Sequence, residues 1–444
     1  MSFIRPAAVW QQAATGNPAA VTATASTAPR LTKPSPAAQF LMFAGVALVM
    51  FGNYYGYDSI GPIAEMLSTQ LHYSDTQIGL LNGIYSAPNI FLVAVGGVLV
   101  DRFSARIMVL VTTFICLLGA ILTAIGDPFS VMATGRLLFG IGSETLVVAV
   151  MVALAQWFTG GGYFAFLIAL NLSLARLGSW LADRSPSFAR ELYAGGWQPP
   201  MWLAVGFAAL SLGGALLYYC VDRREAPRGT LNVPPPPERI NWRTFGKFPG
   251  GYWLLVATCV TFYSVIFPFR STFAIKYLQE AHGLSLDAAS TLNSYVFLAA
   301  AFATTAFGML LDRTHRNNLL LVLGSVLLPA SFVVLGLMPA GAGLSTALLG
   351  LSFSLLPAVL WPTVPDYTTP AHLGTAYGLM TTLQNAGLFA VNIAAGHFND
   401  VYHASASNPG GYAPMLWFFG VLSFIAFVCM LVLWVSGWRK PELA

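Results

Sequence analysis

The chain has 444 residues, 56% of them hydrophobic and only 9% charged, with a mean hydropathy of +0.68. Soluble domains carry about 25% charged residues, so this composition excludes a water-soluble globular protein and indicates a polytopic membrane protein. The formal net charge of +4 says little until the charges are placed along the chain. The four cysteines (Cys116, Cys220, Cys259, Cys429) fall inside apolar segments without metal-ligand spacing, and read as small buried hydrophobes.

Residues 1–35 are rich in Ala, Thr, Ser and Pro and contain no apolar run of signal-peptide length, which reads as a disordered cytoplasmic tail. The first span begins at Pro36 and is strongly apolar through Phe51. It continues as GNYYGYDSIGPIAEML, too polar to face lipid but suited to lining a cavity, with Tyr57 and Asp58 on the inward stretch. Further spans are expected at 75–100, 106–125, 129–158, 162–186, 198–221, 250–275, 286–311, 318–338, 342–365, 371–398 and 412–437. A charged, Pro-rich connector over 222–249 divides the helices into one six-helix bundle at 36–221 and another at 250–437, with a short cytoplasmic tail at 438–444. The expected fold class is therefore an all-α polytopic membrane protein of twelve transmembrane helices in two pseudo-symmetric six-helix bundles.

Most Lys and Arg lie in the tail, the connector, the loops near Asp101 and Asp312, and at Arg439-Lys440, which an even helix count puts on one face. Both termini are therefore expected in the cytoplasm. The opposite loops are nearly bare, with Arg184, Arg190, Arg270 and Lys276 as exceptions. An internal repeat supports the two-half reading. Gly97-Val98-Leu99-Val100-Asp101-Arg102 is followed by Arg106, and Gly308-Met309-Leu310-Leu311-Asp312-Arg313 stands at the equivalent point of the second half. In such a loop the Gly allows close helix approach, the Asp can accept bonds at a helix N-terminus, and the Arg can pair across the gap.

The segment 135–180 joins two apolar spans through Thr159-Gly160-Gly161-Gly162, and each span carries an ionisable residue near its centre. Glu144 and Arg176 both lie about 20 Å from the same face of a hydrocarbon core about 30 Å thick. Two readings stand: a structural ion pair between neighbouring helices, or a site for a ligand bearing both charges. An empty site would let the two residues pair with each other. The second half offers Tyr295, Trp361, Gln384 and Asn385 at comparable depth, either for contacts to a ligand or for packing and interhelical hydrogen bonds. Asp58 suits either an ammonium contact or an outer gate. Arg136 reads as a structural anchor.

Beyond the paired loops, Gly140-Ile141-Gly142-Ser143-Glu144-Thr145, Ser173 to Ser179, Leu360-Trp361-Pro362, Leu373 to Gly378 and Gln384-Asn385 form a distinctive set, with Tyr57-Asp58 and Phe267-Pro268-Phe269. The chain resembles the major facilitator superfamily and, within it, the "major facilitator superfamily domain-containing 1" proteins. The resemblance implies the major facilitator fold, rocking about a midplane site, and gating roles for Gly97, Asp101, Arg102, Arg106, Gly308, Asp312 and Arg313. It further implies uniport of dipeptides, as in the lysosomal animal members, with Glu144 as the acidic and Arg176 as the basic determinant. The tail shows no acidic dileucine signal, so the expected location is a bacterial plasma membrane.

The function expected is dipeptide transport. The alternatives are a proton-coupled carrier of organic anions or, from another class, a non-transporting receptor or scaffold. No metal cluster, nucleophile motif or phosphate loop suggests an enzyme, a cofactor or a metal site, and no nucleic-acid role is indicated. The partners implied are a small-molecule substrate and the bilayer. Nothing in the sequence points to an accessory subunit.

Overall fold

A computed structural model describes residues 34–158, 163–225, 248–314, 317–338, 341–368 and 372–436. Residues 1–33 of the expected tail, most of the connector and the 438–444 segment lie outside the described residues, as does the expected turn at 159–162.

The first half contains α1 (Pro36–Asp58), a 3₁₀ turn at Gly61–Ile63, α2 (Ala64–Gln70), α3 (Asp75–Ser86), α4 (Asn89–Phe103) and α5 (Ala105–Ile125). It continues with α6 (Phe129–Phe158), α7 (Phe164–Phe188), α8 (Arg190–Ala194) and α9 (Gln198–Glu225). The second contains α10 (Gly250–Pro268), a π-helical turn (Phe269–Phe273), α11 (Ala274–His282), α12 (Leu286–Thr314), α13 (Asn317–Leu337), α14 (Ala342–Thr363), α15 (Leu373–Val401) and α16 (Ala413–Ser436). Helices dominate because a bilayer offers no water to satisfy a bare backbone. Their ends carry ordinary signals. Ser35 caps α1 with Pro36 at its first position, Ser74 and Gln77 form a capping box on α3, and Gly283 ends α11 in the left-handed conformation.

These elements make twelve passages in two bundles. The chain enters α1 and leaves α16 on one face, here the terminal face; the opposite one is the far face. Among the described residues, eight passages are long and apolar enough to cross a membrane by length and composition alone. The other four, α3–α4, α7, α12 and α15, make the most extensive contacts across the halves: α3 and α4 pack on α15, and α7 packs on α12. The second passage of each half thus meets the fifth passage of the other. That symmetry explains why polar residues interrupt these helices: they face protein rather than lipid.

The halves are locked at the far face. A Cβ on Gly79 would fall 2.2 Å from the Asn392 carbonyl oxygen, and one on Gly396 would fall 2.1 Å from that of Asp75. Only glycine permits this approach of α3 to α15, the small-residue packing by which membrane helices associate. The four basic residues that break the charge asymmetry all bond across the seam between the halves. Arg184 donates to Thr291, Arg190 pairs with Asp287 at 3.0 Å, Lys276 pairs with Asp75, and Arg270 binds Asp58 and Asp183.

Asp400, at the end of α15, closes the seam. Its carboxylate accepts the backbone N–H of Asp75 and of Thr76, each at 2.8 Å, and the Thr76 hydroxyl. Ser74 takes the N–H of Gln77 at 3.2 Å, so one helix N-terminus is capped from its own chain segment and from the opposite half. Separating the halves leaves two amides of α3 without partners. Asp400→Ala should therefore weaken the closed far face by about 1 kcal/mol, the usual worth of a helix cap. Pulsed EPR between spin labels at the exposed Thr69 and Val401 should show a larger long-distance population; an unchanged distribution would mean that Asp400 does not hold the seam. Gly396→Val should push the same distribution further toward the open form, because the clash is with backbone.

Candidate functional site

Beneath the far-face seam lies a layer of buried charge. Pro268 cannot donate a backbone hydrogen bond, and the helix answers with the π turn at Phe269–Phe273. That turn carries Arg270, Ser271 and Thr272 into the contact between the halves, all fully buried. Arg270 donates to Asp58 at 2.6 Å and to Asp183, and Asn293 donates to Asp183 at 3.0 Å and to the Arg270 carbonyl at 3.1 Å. Thus α1, α7, the π turn and α12 meet at one guanidinium. Asn82 donates to the Ser271 carbonyl and to Thr272, extending the layer to α3.

Asp58 is accordingly 1% exposed and committed to Arg270. It lies in the far-face layer of buried charge, bonded across the halves. Tyr57, its neighbour, is buried against Tyr85 and Phe267 with ring centroids 4.6 and 6.0 Å away. Arg136 donates to the carbonyls of Gly56, Tyr57 and Leu81 and to Asn82 at 2.6 Å, and lies over the rings of Tyr57, Tyr85 and Phe139. It ties α1, α3 and α6 together, the position of an anchor.

Below this layer stand Glu144 on α6 and Arg176 on α7, both half-buried. They do not pair: no ion pair joins them among the described residues, so the pairing that an empty site would allow is not made. Aromatic rings take the guanidinium instead. Arg176 Cζ lies 5.5 Å from the ring centroid of Tyr54, 5.9 Å from Phe267, 5.3 Å from Phe297 and 4.8 Å from Phe353. One ring comes from the first half and three from the second. Cation–π attraction of about 0.5–2 kcal/mol per contact offsets part of the desolvation, but buried Nη1 has no hydrogen-bond partner among the described residues. A donor so placed lacks an acceptor that a ligand can bring.

Tyr54 lies within electrostatic reach of both Arg176 and Glu144. Next to Glu144, Ser143 accepts from Asn53 Nδ2 at 2.7 Å and shares a hydrogen bond with the Tyr85 hydroxyl at 2.6 Å. This fully bonded network fixes the turn of α6 that presents Glu144. None of Tyr54, Asn53 or Tyr85 stands out individually in the sequence, although Asn53 and Tyr54 belong to the polar stretch of the first span that reads as cavity-lining.

The second half contributes unevenly. Trp361 Nε1 donates to the Tyr263 hydroxyl at 2.9 Å, and the Trp361 carbonyl accepts from Tyr377 at 3.0 Å. Gln384 accepts from Cys259 Sγ at 3.4 Å, and Asn385 donates to the Thr381 carbonyl of its own helix at 3.1 Å. Trp361 and Gln384 remain half-buried, whereas Asn385 is buried. Tyr295 is 51% exposed and stands with Phe302 on the side of α12 opposite Asn293, Phe297 and Ala300, away from the Arg176 cage.

Of the residues expected to gate the terminal face, Arg106 pairs with Asp222 at 3.5 Å, and Asp222 also accepts from Trp157. This bond lies within the first half. Arg102 is exposed, 5.5 Å from the Phe103 ring centroid. The side-chain positions of Gly97, Asp101, Gly308, Asp312 and Arg313 lie outside the described residues. Two cysteines depart from expectation: Cys220 is exposed and Cys429 only partly buried.

Comparison with known proteins agrees with this architecture. Residues 46–392 match the family model for the Major Facilitator Superfamily. The lysosomal dipeptide transporter MFSD1 of Bos taurus is 33% identical over 366 residues, covering 79% of this chain and 77% of the bovine one. A probable sulfoacetate transporter, SauU of Cupriavidus necator, is 26% identical, covering 77% of this chain and 83% of its own. A crystal structure of a mutant of the nucleoside transporter NupG superposes with a TM-score of 0.72 at 13% identity, covering 89% of this chain and 99% of that one, a likeness of fold alone. The chain is a multi-pass integral membrane protein that belongs to the Major Facilitator Superfamily and, within it, to the family of the MFSD1 transporters.

Proposed function

We propose that this protein carries small zwitterionic peptides across the membrane by alternating access, as a uniporter. Glu144 takes the substrate ammonium by charge-assisted hydrogen bonds, and Arg176 takes the carboxylate. The observation that carries this reading is the unpaired state of both charges: a half-buried carboxylate and a guanidinium with an orphaned buried N–H, on neighbouring helices. Leaving opposite charges apart in a low-dielectric interior is costly, so a ligand that bridges them is favoured. The MFSD1 relatives named as dipeptide transporters support the same substrate class.

Uniport is favoured by the charge inventory. Asp58, the other carboxylate open to proton cycling, is held by Arg270, and Asp183 by Arg270 and Asn293. Of Asp58, Asp183 and Glu144, that leaves Glu144 without an ion pair among the described residues, and it is assigned to the substrate. A rocking motion then exposes the site to each side in turn, with the far-face seam and the terminal-face loops as alternating seals. In this reading Asp101, Arg102, Arg106, Asp312 and Arg313 serve the terminal-face seal. The excess of Lys and Arg there makes it the cytoplasmic face of, we infer, a bacterial plasma membrane.

The second reading is proton-coupled import of organic anions. It draws on the sulfoacetate transporter among the more distant relatives and would use Arg176 alone for recognition.

Uptake of a labelled dipeptide into proteoliposomes separates the two. Loss of a charge-assisted hydrogen bond is worth about 1.5–3 kcal/mol, so Glu144→Gln and Arg176→Ala should each lower uptake about tenfold or more. Wild-type uptake should proceed at the same initial rate with and without an inward proton gradient. Uptake that requires the gradient, or an organic anion carried equally well by Glu144→Gln, would replace the uniporter with the second reading.

A further inference from the structure

Arg176 and Arg270 share one aromatic ring. The Phe297 centroid lies 5.3 Å from Arg176 Cζ and 3.7 Å from Arg270 Cζ. The ring is fully buried, with Phe353 edge-on at 5.4 Å and Phe267 tilted at 6.4 Å, so close packing leaves it little room to move.

Its setting is a two-rung contact between α7 and α12. On α7, Arg176 and Asp183 are seven residues apart and so share one face. On α12, Asn293 and Phe297 are four apart and also share a face. Asp183 meets Asn293 and Arg270 on the upper rung, and Arg176 meets Phe297 on the lower. A third bond, from Ser173 to the Ala301 carbonyl at 3.0 Å, continues the ladder toward the terminal face. The upper rung closes the far face; the lower one carries the orphaned N–H. Phe297 is the residue common to both.

We propose that Phe297 is a positioning residue that couples occupancy of Arg176 to the Arg270 latch. In the empty protein the rings of the second half hold Arg176, which belongs to the first half, and these contacts tie the halves together. A carboxylate on Arg176 competes with the rings for the cation and weakens that tie. The same ring braces Arg270 in its bonds to Asp58 and Asp183, so the loss is felt at the latch, and the far face opens more readily. The ligand thereby shifts the equilibrium by its different interaction with the two states. This substrate response rests on the proposed role of Arg176; the shared ring does not.

The test uses the full-length protein with spin labels at Thr69 and Val401, and reads the far-open fraction by pulsed EPR. In the empty protein, Phe297→Met (similar bulk, no ring face) and Arg176→Gln should each raise that fraction. The double variant should raise it by less than the sum of the two single effects, because both remove the Arg176–Phe297 contact. Phe297→Tyr, which keeps the ring, should behave as wild type, and Phe297→Leu serves as a second ring-free variant. With a saturating dipeptide, the ligand-induced rise in the Met variant should be at least about threefold smaller than in wild type. Additive single effects, or a Met variant that responds to dipeptide as wild type does, would overturn the coupling role. If wild type itself ignores dipeptides, the substrate reading fails, while the cycle in the empty protein still decides the role of Phe297.

Discussion

A charge in the middle of a bilayer must be answered, and the way each charge is answered organises the molecule. In the interior of the bundles, Asp58 and Asp183 are answered by Arg270, and Arg136 by backbone carbonyls and rings. Glu144 and Arg176 have no ionic answer among the described residues. The paired charges lie across the seam between the halves and help to hold it closed; the unpaired ones lie beneath it and are half open. Paired and unpaired charge are separated by depth. Because an intramembrane ion pair broken at one partner is far more costly than one never made, the seam is also where mutation should be least tolerated.

Much of this was legible in the sequence for physical reasons. Hydropathy and connector composition give the twelve passages, since lipid-facing helices must be apolar throughout. Glu144 and Arg176 stand out because nothing but function or pairing keeps ionisable residues at that depth. The far-face seam was visible only as four anomalies. Arg184, Arg190, Arg270 and Lys276 read as exceptions to the charge asymmetry, and each bonds to the opposite half. A basic residue on the sparsely charged side is itself a signal that a partner waits across the interface. Their partners could not be named from the sequence because the contacts span up to 212 residues, as between Arg270 and Asp58.

Other features were hidden because sequence lacks direction. Tyr295 sits at the right depth on α12 but on the wrong side of it, whereas Phe297, two residues on, reaches the cage. Phe267, Phe297 and Phe353 look like ordinary membrane aromatics until their rings converge on Arg176. The π turn after Pro268 also shifts the phase of its helix, so a regular periodicity misjudges where Arg270 points. The Asp400 cap on α3 joins residues more than 320 positions apart and has no local signature.

In the proposed mechanism, Glu144 and Arg176 read opposite ends of one substrate. The most direct measurement of this is dipeptide binding to purified protein, with either end of the ligand chemically blocked. N-acetylation and C-amidation should each weaken binding to wild type. Acetylation should cost nothing further in Glu144→Gln, and amidation nothing further in Arg176→Ala, since each modification removes what the substitution already removed. If acetylation weakens Glu144→Gln as much as wild type, Glu144 does not hold the ammonium, and the two-ended clamp is contradicted.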